Sequence, residues 1–165
     1  MGKNPTDRGK NGTKKSVLVE ADGGPLGCVI DGANVPDCKL LKATIEAIVV
    51  ERPRPSKEKP QHLCLDKGYD NPTARQALEG TGYVAHIPKI GEQTKPCDRS
   101  AGHKPRRWVV ERTLAWLSKC RGILIRYDKK DTNYLGLIQL ACVLLWYRRL
   151  HRLGVVDGKQ DPARA

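Results

Sequence analysis

The apolar positions change period along the chain, and each change marks an element. Val17, Leu18 and Val19, then Leu26, Cys28, Val29 and Ile30, form short β-type runs on either side of Ala21-Asp22-Gly23-Gly24-Pro25. Gly, Asp and Pro clustered in this way supply turn conformations, so the two runs are expected to pair as an antiparallel hairpin. Beyond Pro36 the period becomes helical through Leu40, Leu41, Ala43, Thr44, Ile45, Ala47 and Ile48, with Asp37 placed to cap a first helix that should end near Glu51. Residues 52–60 hold three prolines among alternating charges and should form an exposed loop, because Pro has no N–H to give a helix or a sheet ladder.

Gln61-His62-Leu63-Cys64-Leu65 reads as a short strand ending at Asp66. The turn Lys67-Gly68-Tyr69-Asp70-Asn71-Pro72, a helix from Thr73 to Leu78 and a strand Tyr83-Val84-Ala85-His86-Ile87 should follow. Residues 88–107 are basic and rich in Gly and Pro, with no apolar period, a loop long enough to suggest a working role. Trp108, Val109, Leu114, Ala115, Trp116 and Leu117 predict a helix that stops at Gly122, and a last helix should run from about Asn133 to His151. Residues 1–15 are polar and read as an extended arm. Strands alternating with helices imply an α/β fold. At 165 residues the chain suits one domain, taken as residues 1–153, with a flexible tail at 154–165.

Charge then narrows the class of partner. Thirty Lys and Arg against 18 Asp and Glu give a net charge of +12, which points to a polyanion. Residues 105–153 alone hold eleven Lys and Arg against three Asp and Glu, a net of +8. Their helices, with the turn Arg126-Tyr127-Asp128-Lys129-Lys130, would offer phosphates a basic surface, although a solvated helix face is the plainer reading. The apolar run near the C-terminus is broken by Gln139 and ends in arginines, short of the roughly 20 apolar residues a membrane span needs. No apolar leader opens the chain, so a cytoplasmic setting is expected. The six cysteines, at 28, 38, 64, 97, 120 and 142, form no Cys-x-x-Cys pair and read as reduced thiols. His62 with Cys64, and Cys97 with His103, lack the spacing of a metal knuckle, and no metal centre is expected from them. No Gly-rich phosphate loop or Ser-His-Asp set is present, so no ATP requirement is expected.

Two acids stand out against this basic background. Asp66 closes a strand, where ligands of α/β sheets gather, and Glu111 lies among Arg106, Arg107 and Arg112. Brought together, their hard oxygens would suit Mg²⁺. Equally, Asp66 could cap the turn into Gly68 and Glu111 could neutralise Arg107 four residues earlier.

Asp66-Lys67-Gly68-Tyr69-Asp70 with Arg75, and the run from Arg107-Trp108-Val109-Val110-Glu111-Arg112-Thr113 to Leu117, resemble the second and third acidic motifs of bacterial insertion-sequence transposases of the DDE class. The segment from Gly2 to Lys10, Gly24-Pro25-Leu26, Gly32-Ala33-Asn34 before Asp37, and Tyr134 with Leu140-Ala141-Cys142 resemble the same family in the same order. The resemblance implies a ribonuclease-H-like mixed sheet flanked by helices. It also implies a catalytic pair of Mg²⁺ or Mn²⁺ ions, cleavage at transposon ends and joining of the freed 3′ hydroxyl to target DNA. Carried over, Asp66 becomes the second metal-binding catalytic acid and Glu111 the third. Arg107 would touch phosphate or steady Glu111, and Arg112, Lys119, Arg121, Arg126, Arg148 and Arg149 would bind DNA. The implied partners are transposon-end and target DNA, a second copy to pair the ends, or an upstream transposase polypeptide, and the implied location is the bacterial nucleoid.

The sequence departs from the family pattern at two places. Lys104 and Ser118 stand where the family has a tyrosine and a basic residue, with Lys119 one step beyond. The family's first acid lies on the strand before the Asn-Pro-Thr-Asp-Arg-Gly-Lys segment, at which this chain opens, so that acid and the sheet's first strand are expected to be missing. Asp22, Asp31 and Asp37 match turn or loop positions. A non-catalytic DNA-binding or regulatory fragment of a transposase is therefore the alternative.

Overall fold

The computed structural model describes residues 1–89 and 107–155, and of Arg107 only the backbone. Its centre is the predicted hairpin. Strand β2 (Asn11–Val19) pairs antiparallel with β3 (Pro25–Gly32), with a bulge between Leu18 and Val19. The turn is held by Glu20, whose carboxylate accepts the amides of Asp22 at 3.0 Å and Gly24 at 2.8 Å. Gly23 sits at φ +96°, a conformation that costs any residue with a Cβ.

Alternation then sorts the hairpin's side chains onto two faces. Val17, Cys28 and Ile30 face a core built with Leu117, Ile123, Tyr134, Ile138 and Ala141. Those residues come from three helices, α3 (Arg107–Ser118), α4 (Arg121–Leu124) and α5 (Asp131–Arg152). On the opposite face lies α1 (Asp37–Glu46), admitted by Gly27, where a Cβ would stand 2.8 Å from the Thr44 carbonyl. Leu18 joins Leu41 of α1 in a second core with Leu63 and Ala74. Leu63 belongs to β4 (Gln61–Cys64) and Ala74 to α2 (Pro72–Leu78), which leads to β5 (Tyr83–His86). β4 and β5 run parallel, as a strand–helix–strand unit requires.

The mixed α/β class holds, and among the described residues the strands form two sheets, β1 (Gly2–Lys3) with β2 and β3, and β4 with β5. Several local expectations are corrected. The first fifteen residues are not only an arm, because β1 (Gly2–Lys3) pairs with Asn11 and Gly12. Asn4 closes that turn by accepting the Thr6 amide and hydroxyl, and Arg8 and Gly9 adopt positive φ. Helix α1 stops at Glu46, five residues early, because Val49 and Val50 find nothing to pack on and stay exposed. Pro36, not Asp37, occupies its N-cap, while Asp37 pairs with Lys14 at 3.2 Å. The helix predicted to reach Gly122 ends at Ser118, and the chain restarts as α4 after Cys120.

Residues 90–106, most of the predicted basic loop, and 156–165 of the predicted tail lie outside the described residues. Among the described residues no helix is long and apolar enough to cross a membrane. Cys28, Cys38, Cys64, Cys120 and Cys142 are free thiols, as expected.

Candidate functional site

Asp66 is placed by the end of β4. The Leu65 amide still donates to the His86 carbonyl at 3.0 Å, after which the chain turns into a single 3₁₀ turn, Lys67–Tyr69. Asp66 caps that turn, its Oδ1 accepting the Gly68 amide at 2.8 Å, so the capping role foreseen for it is real. The side chain is exposed, and its second oxygen has no hydrogen-bond partner among the described residues. One carboxylate oxygen is thereby fixed by the backbone while the other is offered to solvent.

The residues after Asp66 build its support. Asn71 caps α2 by accepting the Ala74 amide at 2.9 Å, and Pro72 opens the helix with φ already set. Arg75 reaches back to Asp70 at 2.5 Å. Tyr69 lies against the second core, and its hydroxyl is pushed up to about 12 by burial, then by the charges of Asp37 and Asp66, with Cys38 adding to them. Asp37 thus shares a neighbour with Asp66. Asp22 lies in the hairpin turn against Arg149, and Asp31 accepts the amide of Gly32.

Glu111 projects from α3. Val109, Thr113 and Leu117 recur every four residues and are buried, which seats the helix on the hairpin turn. Thr113 fixes that seat by donating to the Gly23 carbonyl at 2.8 Å. Glu111, roughly 200° around the helix from Val109, is therefore exposed. Asp66 and Glu111 are each accessible carboxylates with the hard oxygens a divalent cation prefers. Among the described residues, however, no group of three or more His, Cys, Asp or Glu stands close enough to hold a metal ion.

The predicted DNA-binding cations divide into two sets. Arg112, Lys119, Arg121 and Arg148 are exposed. Arg112 stacks 4.6 Å over Trp108 while donating to the Asp22 carbonyl, and Lys119 stands 4.6 Å over Trp116. Arg126 instead is turned inward, its side chain only 8% exposed. It donates to Thr13 Oγ1 and to the carbonyls of Asp128 and Lys129, pairs with Asp131 at 2.5 Å, and lies over Tyr134. Arg149 is likewise engaged, with Glu20 and Asp22. Of Arg107 only the backbone position, at the start of α3, is described.

Trp108 and Trp116, read in the sequence only as positions of helical period, are surface groups, 54% and 43% exposed. Cations three or four residues after each tryptophan were the available signal.

Comparison with known proteins converges on one family. The profile described as "Transposase DDE domain" matches residues 2–146. A Burkholderia cepacia protein described as "Putative transposase for insertion sequence element IS402" is 34% identical over 153 residues, 92% of this chain and 70% of that relative. No solved structure matches. On a family match across nearly the whole described chain and this degree of identity, the chain belongs to the transposase DDE-domain family.

Proposed function

We propose that the chain is the catalytic portion of an insertion-sequence transposase, cutting DNA at transposon ends and joining the freed 3′ hydroxyl to target DNA. One observation carries this reading: within a chain matched to the DDE family over residues 2–146, Asp66 stands at the C-terminal end of a parallel strand with one oxygen held and the other open. Asp66 and Glu111 are the carboxylates that would hold the divalent ions, Mg²⁺ or Mn²⁺. Such ions, when bound, supply activation of the attacking oxygen and neutralisation of the departing one.

The remaining work falls to the chain's own side chains. The Gly68 amide fixes the orientation of Asp66, and the Thr113–Gly23 bond fixes the helix that carries Glu111. Arg112, Lys119, Arg121 and Arg148, all exposed, would bind phosphates and so position DNA without reading its sequence. Arg126 and Arg149 serve the same surface indirectly, by locking α5 and its preceding turn to the hairpin.

We also read the two sheets as parts of one ribonuclease-H-like sheet. Where β1 stops, residues 13–19 of β2 have no further ladder partner on that side, and β4 is paired on one side only, among the described residues. Leu18 and Leu63 meet in one core, so a further strand between those edges would make the sheet continuous.

The test is nicking of supercoiled plasmid in Mn²⁺ by this chain and by Glu111→Gln at matched DNA affinity. Nicking by the chain that disappears in the variant is the expected result, with an acid of residues 1–65 completing the set that Asp66 and Glu111 begin. DNA binding without nicking by either protein would overturn the catalytic assignment and leave a DNA-binding fragment.

A further inference from the structure

The last helix has apolar residues on two faces, and the core uses only one of them. Ile138, Ala141 and Leu145 of α5 pack with the hairpin, whereas Leu137, Leu140, Leu144 and Tyr147 lie on the other side of the helix, between 39% and 57% exposed. Their spacing of three, four and three residues has the 3.5-residue period of a coiled-coil seam, a stripe about 15 Å long at roughly 1.5 Å per residue. Residues 132–147 carry no charged side chain, although 29% of the whole chain is charged. The flank of the stripe is open too, since a Cβ added at Gly136 would meet nothing within 4 Å among the described residues. One exposed leucine is ordinary, but a row of apolar side chains in register with no charge among them marks a contact surface.

We propose that a second copy of this chain docks on the stripe, with the two α5 helices antiparallel about a two-fold axis. Residues 90–106 and 156–165 cannot supply an apolar cover, because Ile90 and Val156 are their only branched aliphatic side chains. The stripe is self-complementary, as a two-fold contact requires: with the axis between Leu140 and Leu144, Leu140 of one copy meets Leu144 of the other, and Leu137 meets Tyr147. The same register brings Asp131, in the first turn of each helix, beside Arg152 in the last turn of its counterpart, and sets the two helix dipoles in opposition. A parallel pair would instead place Arg148 and Arg152 against their own copies, like charge on like. Because α5 is already folded on the hairpin, association orders no new helix. The surface is independent of the catalytic reading, since neither Asp66 nor Glu111 belongs to it.

The experiment is sedimentation equilibrium of the whole chain, without DNA and at high ionic strength, where bridging by residual nucleic acid is weakest. A reversible dimer is expected. Leu140→Glu and Leu144→Lys change exposed positions, and circular dichroism checks that each variant is folded. Each alone should weaken the dimer by at least about a hundredfold, because its new charge would be buried without a partner. Mixed in equal amounts, the two variants should associate again. Only the antiparallel register opposes the new acid at position 140 to the new base at position 144, while leaving Leu144 of the first variant against Leu140 of the second. A chain that stays monomeric would overturn the proposal and leave the stripe to a different polypeptide. A dimer that neither substitution weakens would overturn it as well, and so would variants that fail to recover on mixing.

Discussion

Arg149, near the end of the last helix, grips Glu20 at the start of the hairpin turn, 129 residues away in sequence. Its second arm reaches Asp22 at 3.1 Å, and its guanidinium lies 5.2 Å over Trp146, which itself donates to the Pro25 carbonyl. The hairpin turn and α5 are therefore fastened by one cation and one indole.

Neighbouring arginines should consequently behave differently. Arg149→Ala removes the partner of a partly buried carboxylate and should cost about 1–3 kcal/mol of folding stability. Arg148→Ala, at an exposed position, should stay within about 0.5 kcal/mol while lowering the salt dependence of DNA binding by about one phosphate contact. Urea unfolding and affinity measured across salt concentrations separate the two. A large stability loss for Arg148→Ala would contradict the division of the basic surface into scaffold and contact residues.

Acid should loosen the same fastening. Burial works against the charged form of Glu20, but the amides of Asp22 and Gly24 and the Arg149 guanidinium outweigh it and hold the carboxyl below its ordinary 4.5. Asp131 is held below its ordinary 3.8 by its hydrogen bond and charge pairing with Arg126. A carboxyl lowered on folding adds stability that is fully present above its unfolded value and is lost as pH falls through the folded one. Denaturant midpoints should thus be flat near neutrality and drop below the ordinary carboxylate values. In Glu20→Gln the drop should be shallower, and an unchanged slope would show that Glu20 is not one of the groups responsible.

How much of this was legible beforehand depends on where each residue finds its partners. The last helix was, because Leu135, Ile138, Ala141, Cys142 and Leu145 repeat at helical spacing and the core simply accepts them. The first half of β2 was not, since Lys14 and Lys15 carry no apolar alternation and the ladder there rests on backbone bonds. Asp66 at a strand end could be read directly, but the fate of Arg126 could not. Its partner Thr13 lies 113 residues upstream, and local charge counting placed Arg126 on the surface. The 2.8 Å contact between His62 and His86 escaped notice for the same reason, each histidine looking solitary until β5 returned beside β4.

Close approach of α1 to the hairpin yields a steric prediction. At Gly27 a Cβ would meet the Thr44 carbonyl at 2.8 Å and the Ala47 backbone at 3.1 Å, all of it main chain that cannot rotate away. Gly27→Ala should therefore destabilise the fold by about 1–3 kcal/mol, the usual cost of overpacking. Gly122→Ala, whose nearest neighbour is the Leu137 side chain at 3.7 Å, should be tolerated. Equal thermal stability of the two variants would mean that α1 can shift outward freely.

Thiol chemistry should report how firmly α5 sits on β3. Cys28 is pushed up to about 12 by burial and by Cys142, against the opposing charge of Lys15, and burial raises Cys142 to about 11. Cys64 and Cys120 are exposed. Mild alkylation followed by peptide mass analysis should label Cys64 and Cys120 first, with Cys28 and Cys142 reacting only on unfolding. Early labelling of Cys28 would show that α5 does not stay seated on β3.

Asp66 serves the backbone with one oxygen and is proposed to serve chemistry with the other, and two substitutions separate these roles. Asparagine keeps a side-chain oxygen that can accept the Gly68 amide, so Asp66→Asn should unfold within about 0.5 kcal/mol of the parent. Alanine loses the cap as well and should cost about 1 kcal/mol more. Divalent-ion-dependent nicking should nevertheless vanish in both, because a neutral amide cannot offset the charge of a bound cation. If Asp66→Asn still nicks, the negative charge at this position is dispensable, and Asp66 matters only for holding the turn after β4.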